Sequence, residues 1–434
     1  AIEKAGANII NTGIGWHETR IPTIATKVPR AAFTFVTHQV RKHLNVPVIT
    51  SNRINTPEVA EQVLAQGDAD LISMARPFLA DPEFVNKAAS GRASSINTCI
   101  GCNQACLDHV FNGKVSSCLV NPRACEETRI NIARAPTLKN IAIVGAGPAG
   151  LACAVTAAQC GHTVTVYEAG PEIGGQFNIA KQIPGKEEFQ ETLRYFSVKL
   201  KELNITLMLN TAMTSQALNA LAADEIVLAT GIHPRALDLK GSDHSKVLSY
   251  LDVMNGAKVG AKVAIIGAGG IGFDLAEFLS HGKRQPSQNI EQFMAQWGID
   301  MGLKARGGVA NMVQDIEASP REIYLLQRKV SKVGGGLGKT TGWIHRTGLI
   351  QKNVTMMAGC DYQAIDDEGL HLSVDGKHQV LDVDTIVVCA GQDPNLELCD
   401  GLERQYHLIG GAQKATELDA KRAIRQGTLL AISF

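Results

Sequence analysis

The stretch Asn140-Ile-Ala-Ile-Val-Gly145-Ala-Gly147-Pro-Ala-Gly150 decides the fold of this 434-residue chain. An apolar strand leads into three glycines with G-x-G-x-x-G spacing, and an apolar helix is predicted over residues 151–160. In such a turn Gly145 permits the tight bend, Gly147 lets the backbone approach a pyrophosphate, and Gly150 lets helix and strand pack closely. The helix N-terminus attracts the phosphate charge. The stretch predicts a Rossmann-like dinucleotide-binding unit, with a glycine turn that binds no ligand as the alternative.

Residues further along the chain extend this unit towards a flavin site. The next strand, Thr163-Val-Thr-Val-Tyr, is followed by Glu168, whose carboxylate can accept hydrogen bonds from ribose hydroxyls. Gly174-Gly175-Gln176 resembles the turn that lies along FAD in two-domain flavoproteins. Ala229-Thr-Gly231 and Cys389-Ala-Gly391 resemble strand-end turns of the same proteins. These segments predict that the first unit binds FAD.

A second fingerprint, Gly267-Ala-Gly269-Gly-Ile-Gly272, starts 122 residues after the first (267 − 145). A repeat at this distance indicates a second domain of the same kind, which we expect to interrupt the first until about Val383. Its partner strand leads into Gln327-Arg328-Lys329, with Lys332 just beyond and no acid for a ribose hydroxyl. These cations suit the 2′-phosphate of NADPH better than NADH. A solvated basic turn is the alternative.

The distance between the second fingerprint and its basic turn is unusual. It is 55 residues (327 − 272), where about twenty are usual. An insertion near residues 281–320 must account for the difference.

Four cysteines, Cys99, Cys102, Cys106 and Cys118, follow the spacing Cys-x2-Cys-x3-Cys-x11-Cys. Grouped thiolates hold a metal or an iron–sulfur cluster. Zinc ribbons usually carry two separated Cys-x2-Cys pairs, so the spacing favours 4Fe–4S over zinc or unligated thiols. We expect the surrounding segment to be held more by its ligands than by a core, and Cys125 to be a core residue.

The first 90 residues predict three β/α repeats, typical of parallel strands with crossover helices. They fit either the end of an eight-fold barrel or part of an open sheet. Thr56-Pro57 predicts a helix start, and Gly67 a left-handed helix end.

Candidate site residues follow each of the three predicted strands. His17 follows the first and is a candidate proton donor, with a packed or loop histidine as the alternative. If the next two strands are the last of a barrel, Arg53 and Arg76 are candidates for an FMN phosphate. Their alternative is an ordinary surface ion pair.

Composition excludes several classes of protein. Lys+Arg and Asp+Glu are equal at 42 each, so nothing suggests a nucleic acid or other polyanion as partner. No stretch approaches the roughly 18 apolar residues of a membrane span, and no signal peptide is visible. Ten cysteines without a disulfide framework favour a reducing cytoplasm. Because the chain begins with Ala1, inside an apparent helix, we expect a preceding portion.

The predicted fold class is α/β: the C-terminal part of a (β/α)8 barrel, an iron–sulfur loop segment and two Rossmann-like domains. The expected boundaries are 1–92 for the barrel part, 93–136 for the cysteine segment, 137–255 for the first part of the FAD domain, 256–378 for the NADPH domain, and 379–434 for the rest of the FAD domain.

The ordered motifs closely resemble the bacterial NADPH-dependent 2,4-dienoyl-CoA reductases, and the resemblance spans the chain. The matching stretches are Ile9-Ile-Asn-Thr-Gly-Ile-Gly-Trp-His17-Glu, Ser73-Met-Ala-Arg76-Pro-Phe-Leu-Ala-Asp, the cysteine run with Leu119-Val-Asn-Pro-Arg-Ala-Cys125, Gly174-Gly-Gln-Phe-Asn-Ile-Ala-Lys-Gln-Ile-Pro-Gly, Gly338-Lys-Thr-Thr-Gly-Trp343-Ile-His-Arg and Glu417-Leu-Asp-Ala-Lys-Arg-Ala-Ile424.

The resemblance implies FMN and dienoyl-CoA in the barrel, one 4Fe–4S cluster, and FAD and NADPH in the C-terminal domains. Electrons would pass from NADPH through FAD, the cluster and FMN to the substrate, without a protein partner. His17 matches the active-site histidine of the family, whose tyrosine donor has no counterpart in this chain. Gly411-Ala-Gln-Lys414, where many relatives place an aspartate, and Ala423 fall near the expected flavin chain. A related enoate reductase, an amine dehydrogenase, an electron-transfer module and a zinc-stabilised scaffold are the alternatives.

Overall fold

The computed structural model describes residues 1–14, 20–416 and 419–434. Four parts are distinguished below: the barrel segment (1–92), the cysteine segment (93–136), and a first and a second dinucleotide domain. The sheet of the barrel segment and the main sheets of the two dinucleotide domains are parallel, as the sequence predicted.

The barrel segment contains β1 (Ile10–Asn11), α1 (Thr34–Arg41), β2 (Val48–Thr50), α2 (Pro57–Ala65), β3 (Leu71–Ile72), α3 (Arg76–Ala80) and α4 (Phe84–Ala89). Its strands are parallel and adjacent in chain order. The predicted start of α2 is confirmed, since the Thr56 hydroxyl accepts a hydrogen bond from the Val59 amide at 3.3 Å. Gly67 has the left-handed φ of 73° expected after that helix.

The cysteine segment has one short α-helix, α5 (Leu107–Val110), and a 3-10 turn at Ala93–Ser95. It is not held by ligands alone, because Ile100, Leu119 and Val120 are buried in one core with α6 and with the first dinucleotide sheet. Apolar anchors spaced irregularly along a loop leave no periodic signal, which is why the sequence did not reveal them.

Residues 137–246 contain β4 (Asn140–Val144), α6 (Pro148–Gln159), β5 (Thr163–Tyr167), α7 (Gln176–Ala180), α8 (Phe189–Glu202), β6 (Thr206–Met208), α9 (Ser215–Asn219), β7 (Glu225–Leu228) and β8 (Ile232–Pro234). Residues 247–388 contain β9 (Val247–Ser249), α10 (Tyr250–Met254), β10 (Lys262–Ile266), α11 (Gly270–Ser280), α12 (Ile290–Trp297), β11 (Glu322–Leu326), α13 (Gly342–Gln351), β12 (Thr355–Met357), β13 (Cys360–Asp366), β14 (Gly369–Val374), β15 (Lys377–Leu381) and β16 (Thr385–Val388). Residues 389–434 contain β17 (Gln392–Pro394), β18 (His407–Leu408) and α14 (Ala420–Ala431).

Two five-stranded parallel sheets form the dinucleotide domains. The first has the order β18-β7-β4-β5-β6, and the second has the order β12-β11-β10-β16-β9. An antiparallel sheet, β13-β14-β15, packs its apolar side chains on the second sheet, and β8 pairs with β17 between the two domains. The second domain therefore interrupts the first, as the repeat predicted.

The structure corrects two predicted boundaries. β9 and α10 precede residue 255, yet β9 pairs with β16 in the second sheet. β16 follows residue 378, yet it pairs with β10 of the same sheet, so the first domain does not resume near Val383. A short, fully buried apolar strand has the same sequence pattern in either sheet, and only long-range pairing assigns it. The second domain thus covers residues 247–388.

None of the helices in the described part of the chain combines the length and the apolar character needed to cross a bilayer.

Candidate active site and electron-transfer residues

The first fingerprint is a tight turn with one open glycine. Gly145 has φ 104°, and a Cβ added there would lie 2.4 Å from the carbonyl oxygen of Ala229. A Cβ at Gly150 would lie 1.9 Å from the Gly145 oxygen. At Gly147 an added Cβ would meet no heavy atom within 4 Å. Two glycines are thus required by the protein itself, while the third leaves space that a bound pyrophosphate can occupy.

Segments distant in sequence meet around this turn. Gly175 lies against Gly147, since its added Cβ would be 3.1 Å from the Gly147 Cα. A Cβ added at Gly411 would be 3.0 Å from the backbone of Gly231, so these two glycines are also in contact. Ala423 is buried on α14, the helix that packs along α6. The predicted FAD residues therefore surround the N-terminal end of α6.

Two further predicted FAD residues differ in their contacts. The Glu168 carboxylate accepts hydrogen bonds from the backbone amides of Ala146 at 2.7 Å and Gly170 at 2.8 Å. It thereby fixes the fingerprint loop, and its contact with a ribose stays a prediction. The Gln176 side chain is exposed at the start of α7.

The second fingerprint repeats the first. Gly267 has φ 112°, with its added Cβ 2.5 Å from the Cys389 oxygen, and Gly272 has its added Cβ 1.8 Å from the Gly267 oxygen. Gly269 again meets nothing within 4 Å. The same division of roles thus holds in both domains, so both turns have the backbone that a dinucleotide requires.

The basic turn lies beside the second fingerprint. β11 pairs in parallel with β10, and the turn after β11 exposes the side chains of Arg328, Lys329 and Lys332. In the described part of the chain, none of the three forms an ion pair with a carboxylate. Their charges are therefore available to an anionic ligand.

The four cysteines line one small cavity. Burial raises the pKa of the Cys118 thiol to about 12, and the neighbouring Cys99 contributes in the same direction. Burial also raises the pKa of Cys102, together with Cys106 and Cys118. Four thiolates in this enclosed space would repel one another, so a cationic group is needed to hold them deprotonated. The donor set fits an iron–sulfur cluster.

Two further observations concern this cavity. Among the residues described, no three His, Cys, Asp or Glu side chains are arranged as ligands of a single metal ion. Cys125 is exposed and has φ 62°, so the expectation that it is a core residue was wrong. The expectation rested on its position outside the tight cysteine spacing, and its neighbours Arg123, Glu126 and Glu127 are charged.

Arg76 lines the cysteine cavity. Its Nη1 donates to the Ile24 carbonyl at 2.8 Å and to Asn103 Oδ1 at 2.6 Å. Burial raises the pKa of the nearby Cys106 thiol, and the Arg76 charge opposes that rise. The guanidinium is therefore placed to stabilise negative charge at the cysteines, and contact with an FMN phosphate stays a prediction.

Arg53 is held between domains. Its side chain is 2% exposed, and it donates to the Val28 carbonyl at 2.9 Å and to Glu188 at 2.8 Å. Arg30 donates to the other oxygen of Glu188 at 2.6 Å. Burial alone would raise the pKa of Glu188, but the two arginines outweigh it and lower the pKa to about 2. Contact of Arg53 with an FMN phosphate also stays a prediction.

Asn55 connects this ion pair to the cysteine segment. Its side-chain amide donates to the Cys99 carbonyl at 2.8 Å and lies 3.3 Å from both oxygens of Glu188. Sequence reasoning missed Asn55 and Glu188, because 133 positions separate them and neither belongs to a motif. His17 lies outside the described residues.

The fold and the two glycine turns define the class: an α/β oxidoreductase that binds flavin and a nicotinamide dinucleotide. Residues 139–412 match the family described as pyridine nucleotide-disulphide oxidoreductase, and the chain belongs to that family. Residues 1–95 match the NADH:flavin oxidoreductase / NADH oxidase family. The second match assigns the three β/α repeats to a barrel of the old-yellow-enzyme type instead of an open sheet.

Known proteins match nearly the whole of this chain. A metal reductase of Desulforamulus reducens is 33% identical over 95% of this chain and 62% of its own length. A cinnamate reductase of Clostridium sporogenes is 28% identical over 95% of this chain and 57% of its own. The structure of a 2-naphthoyl-CoA reductase with 2-naphthoyl-CoA superimposes with a TM-score of 0.85, at 28% identity, over 98% of this chain and 60% of that one. The chain thus spans about three fifths of the length of these relatives.

Proposed function

We propose that this chain is the iron–sulfur and dinucleotide-binding part of an NADPH-dependent flavoenzyme that reduces a conjugated C=C bond, with 2,4-dienoyl-CoA as substrate. The coarser part, an NAD(P)H- and flavin-dependent reduction of C=C bonds, is supported by the family matches and by the cinnamate and naphthoyl-CoA reductases. The dienoyl thioester is supported by the resemblance of the ordered motifs.

The observation that carries the proposal is the position of the cysteine cavity. Cys99, Cys102 and Cys118 pack against the core of the first dinucleotide domain, and Arg76 of the barrel segment also lines the cavity. A 4Fe–4S cluster at this point would supply one-electron transfer between an FAD and an FMN. The cysteines would hold it, and Arg76 would offset the negative charge of their thiolates.

Other residues of the chain have distinct tasks in this scheme. Arg328, Lys329 and Lys332 bind the 2′-phosphate of NADPH, and the open backbone at Gly147 and Gly269 admits the two pyrophosphates. His17, in its sequence position after β1, assists delivery of a proton to the α-carbon of the thioester. An acid at that point lets the product leave as a neutral enoyl thioester.

A free conjugated acid is the second candidate substrate, because the cinnamate reductase matches 95% of this chain. A thioester and a free acid differ in charge at the carbonyl, so one enzyme rarely accepts both equally. Rates of NADPH oxidation measured with equal amounts of a 2,4-dienoyl-CoA and of cinnamate therefore distinguish the two candidates.

The test is an anaerobic visible spectrum of the purified protein, with iron, sulfide and flavin quantified, before and after NADPH. We expect flavin bands and about four irons per chain, bleached by NADPH. NADPH oxidation that then depends on dienoyl-CoA supports the proposal, and dependence on cinnamate supports the second candidate. Zinc without flavin, or turnover of an artificial acceptor alone, contradicts both.

A further inference from the structure

The insertion at residues 281–320, between the second fingerprint and its basic turn, makes contacts away from the nucleotide site. It contains α12, and the apolar side chains of α12 do not pack on the second sheet. They form a separate core with a loop of the barrel segment, residues 20–33, here named the β1–α1 loop. That core contains Ala25, Val28, Ala32 and Phe33 from the loop side and Phe293, Met294, Trp297 and Ile344 from the second domain.

Aromatic contacts fix this core. Phe33 and Phe293 meet edge to face, with ring centroids 6.4 Å apart and planes at 90°. Trp297 lies 6.5 Å from Phe293 and 6.1 Å from Trp343 of α13. Phe293 is 1% exposed and Trp297 is 7% exposed. The two side chains thus anchor the loop to a domain distant in sequence.

A buried ion pair holds the same loop at a second point. Glu277 of α11 pairs with Lys27 of the loop and accepts a hydrogen bond from His345 Nδ1 at 2.8 Å. Gly272, at the nucleotide end, lies on the same helix. α11 has eleven residues, a length of about 16 Å. One short helix therefore touches the dinucleotide turn with its first turn and the β1–α1 loop with its last.

The first dinucleotide domain completes the arrangement. Glu187 accepts a hydrogen bond from Ser287 of the insertion at 2.8 Å, and its neighbour Glu188 pairs with Arg30 of the loop at 2.6 Å. A surface pocket lies beside the contact and is lined by Lys27, Glu277 and Trp297.

We propose that the 281–320 insertion, together with Glu277 of α11, is a clasp that fixes the β1–α1 loop, with Phe293, Trp297 and Glu277 as positioning residues for the candidate acid His17, which precedes that loop in sequence. The catalytic part of this inference rests on the proposed function, whereas the ordering of the loop does not. In this arrangement the long insertion serves to order the β1–α1 loop.

The first measurement is amide hydrogen exchange of residues 20–33 in the protein and in Phe293→Ala, Trp297→Ala and Glu277→Gln. We expect exchange in the loop to become about tenfold faster, equivalent to about 1.4 kcal/mol, with exchange in α6 unchanged. Val313→Ala is the matched control, since this residue of the same insertion is 86% exposed. Trp297→Phe keeps an aromatic anchor and should retain most of the protection. This result would show that the faster exchange in Trp297→Ala comes from the lost ring contact and not from a general folding defect.

The second measurement separates positioning from stability. In the three variants, kcat for reduction of the unsaturated substrate should fall about tenfold, while NADPH-driven reduction of ferricyanide and the KM for NADPH stay within twofold of the parent. Unchanged exchange in the loop overturns the clasp. Faster loop exchange with unchanged kcat overturns the positioning role. A parent protein that reduces no unsaturated substrate, with faster loop exchange in the variants, refutes the proposed function and leaves the clasp supported.

Discussion

The Glu188 carboxylate of the first dinucleotide domain accepts a hydrogen bond at 2.8 Å from the Arg53 guanidinium of the barrel segment, and their side chains are only 9% and 2% exposed. Gly101 of the cysteine segment lies against the same guanidinium, since its added Cβ would be 2.8 Å from Arg53 Nη1. Three parts of the chain therefore meet at one buried charge pair. Removing one partner leaves the other charge buried without compensation.

Glu188→Gln should lower the free energy of unfolding at pH 7 by about 3 kcal/mol. The pKa of Glu188 falls from its ordinary 4.5 to about 2 in the folded protein. Its contribution to stability is therefore complete above pH 4.5 and is lost as the pH falls towards 2. Urea unfolding at pH 7, 4 and 3 checks this, since the difference between parent and variant should shrink on acidification. Glu172→Gln, at a largely exposed carboxylate, should change little, and a difference that is constant with pH would refute the assignment.

The two glycines of the first fingerprint should respond differently to alanine. Gly150→Ala introduces a Cβ 1.9 Å from a backbone oxygen, so we expect a loss of stability of about 2 kcal/mol. Gly147→Ala meets no protein atom within 4 Å, so the fold should keep its stability while flavin is lost. Thermal unfolding and flavin content after desalting measure the two effects. Full flavin content in Gly147→Ala would show that no pyrophosphate approaches this backbone.

Cys102→Ser should remove the iron and the acid-labile sulfide, because its thiol lines the shared cavity. Cys125→Ser is the matched control, since that cysteine is exposed and lies outside the cavity. Its iron content should equal that of the parent, about four per chain. Iron and sulfide analysis after anaerobic purification measures the cluster content of both variants. Equal iron loss in both variants, or none in Cys102→Ser, would exclude the assigned ligand set.

The double variant Arg328→Ala, Lys329→Ala should raise the KM for NADPH about 100-fold or more, because each of the two charge-assisted hydrogen bonds contributes roughly 1.5–3 kcal/mol. The KM for NADH should change less than threefold. Lys377→Ala, at an exposed lysine on β15, is the control. Steady-state reduction of ferricyanide with each dinucleotide measures the ratio. Equal effects on NADPH and NADH would leave the 2′-phosphate assignment without support.

His17→Ala should slow reduction of the unsaturated substrate about 10²- to 10⁴-fold, the usual contribution of a general acid. NADPH-driven flavin reduction should continue at the parent rate, because it needs no proton at that point. Stopped-flow absorbance separates the two half-reactions in a protein with a complete barrel. Unimpaired substrate reduction would remove the catalytic role of His17.

Much of the fold was predictable because it is encoded locally. The G-x-G-x-x-G turns, the Thr56 cap and the left-handed Gly67 follow from steric and hydrogen-bonding rules within a few residues of each site. The grouping of four cysteines was visible for the same reason, since 19 positions separate the first from the last (118 − 99). Parallel strands with intervening helices followed from hydrophobic periodicity.

Contacts between distant segments decided the rest. Four contacts join residues that are far apart in the sequence: the pairing of β16 with β10, the Glu188–Arg53 pair, the hydrogen bond from Asn55 to Cys99 and the packing of Phe293 on Phe33. The side chains involved are ordinary, and their partners lie more than 40 positions away. The sequence by itself determined which local turns and thiol clusters exist. The tertiary structure alone decided which of them meet, because burial and charge pairing depend on neighbours that local rules do not specify.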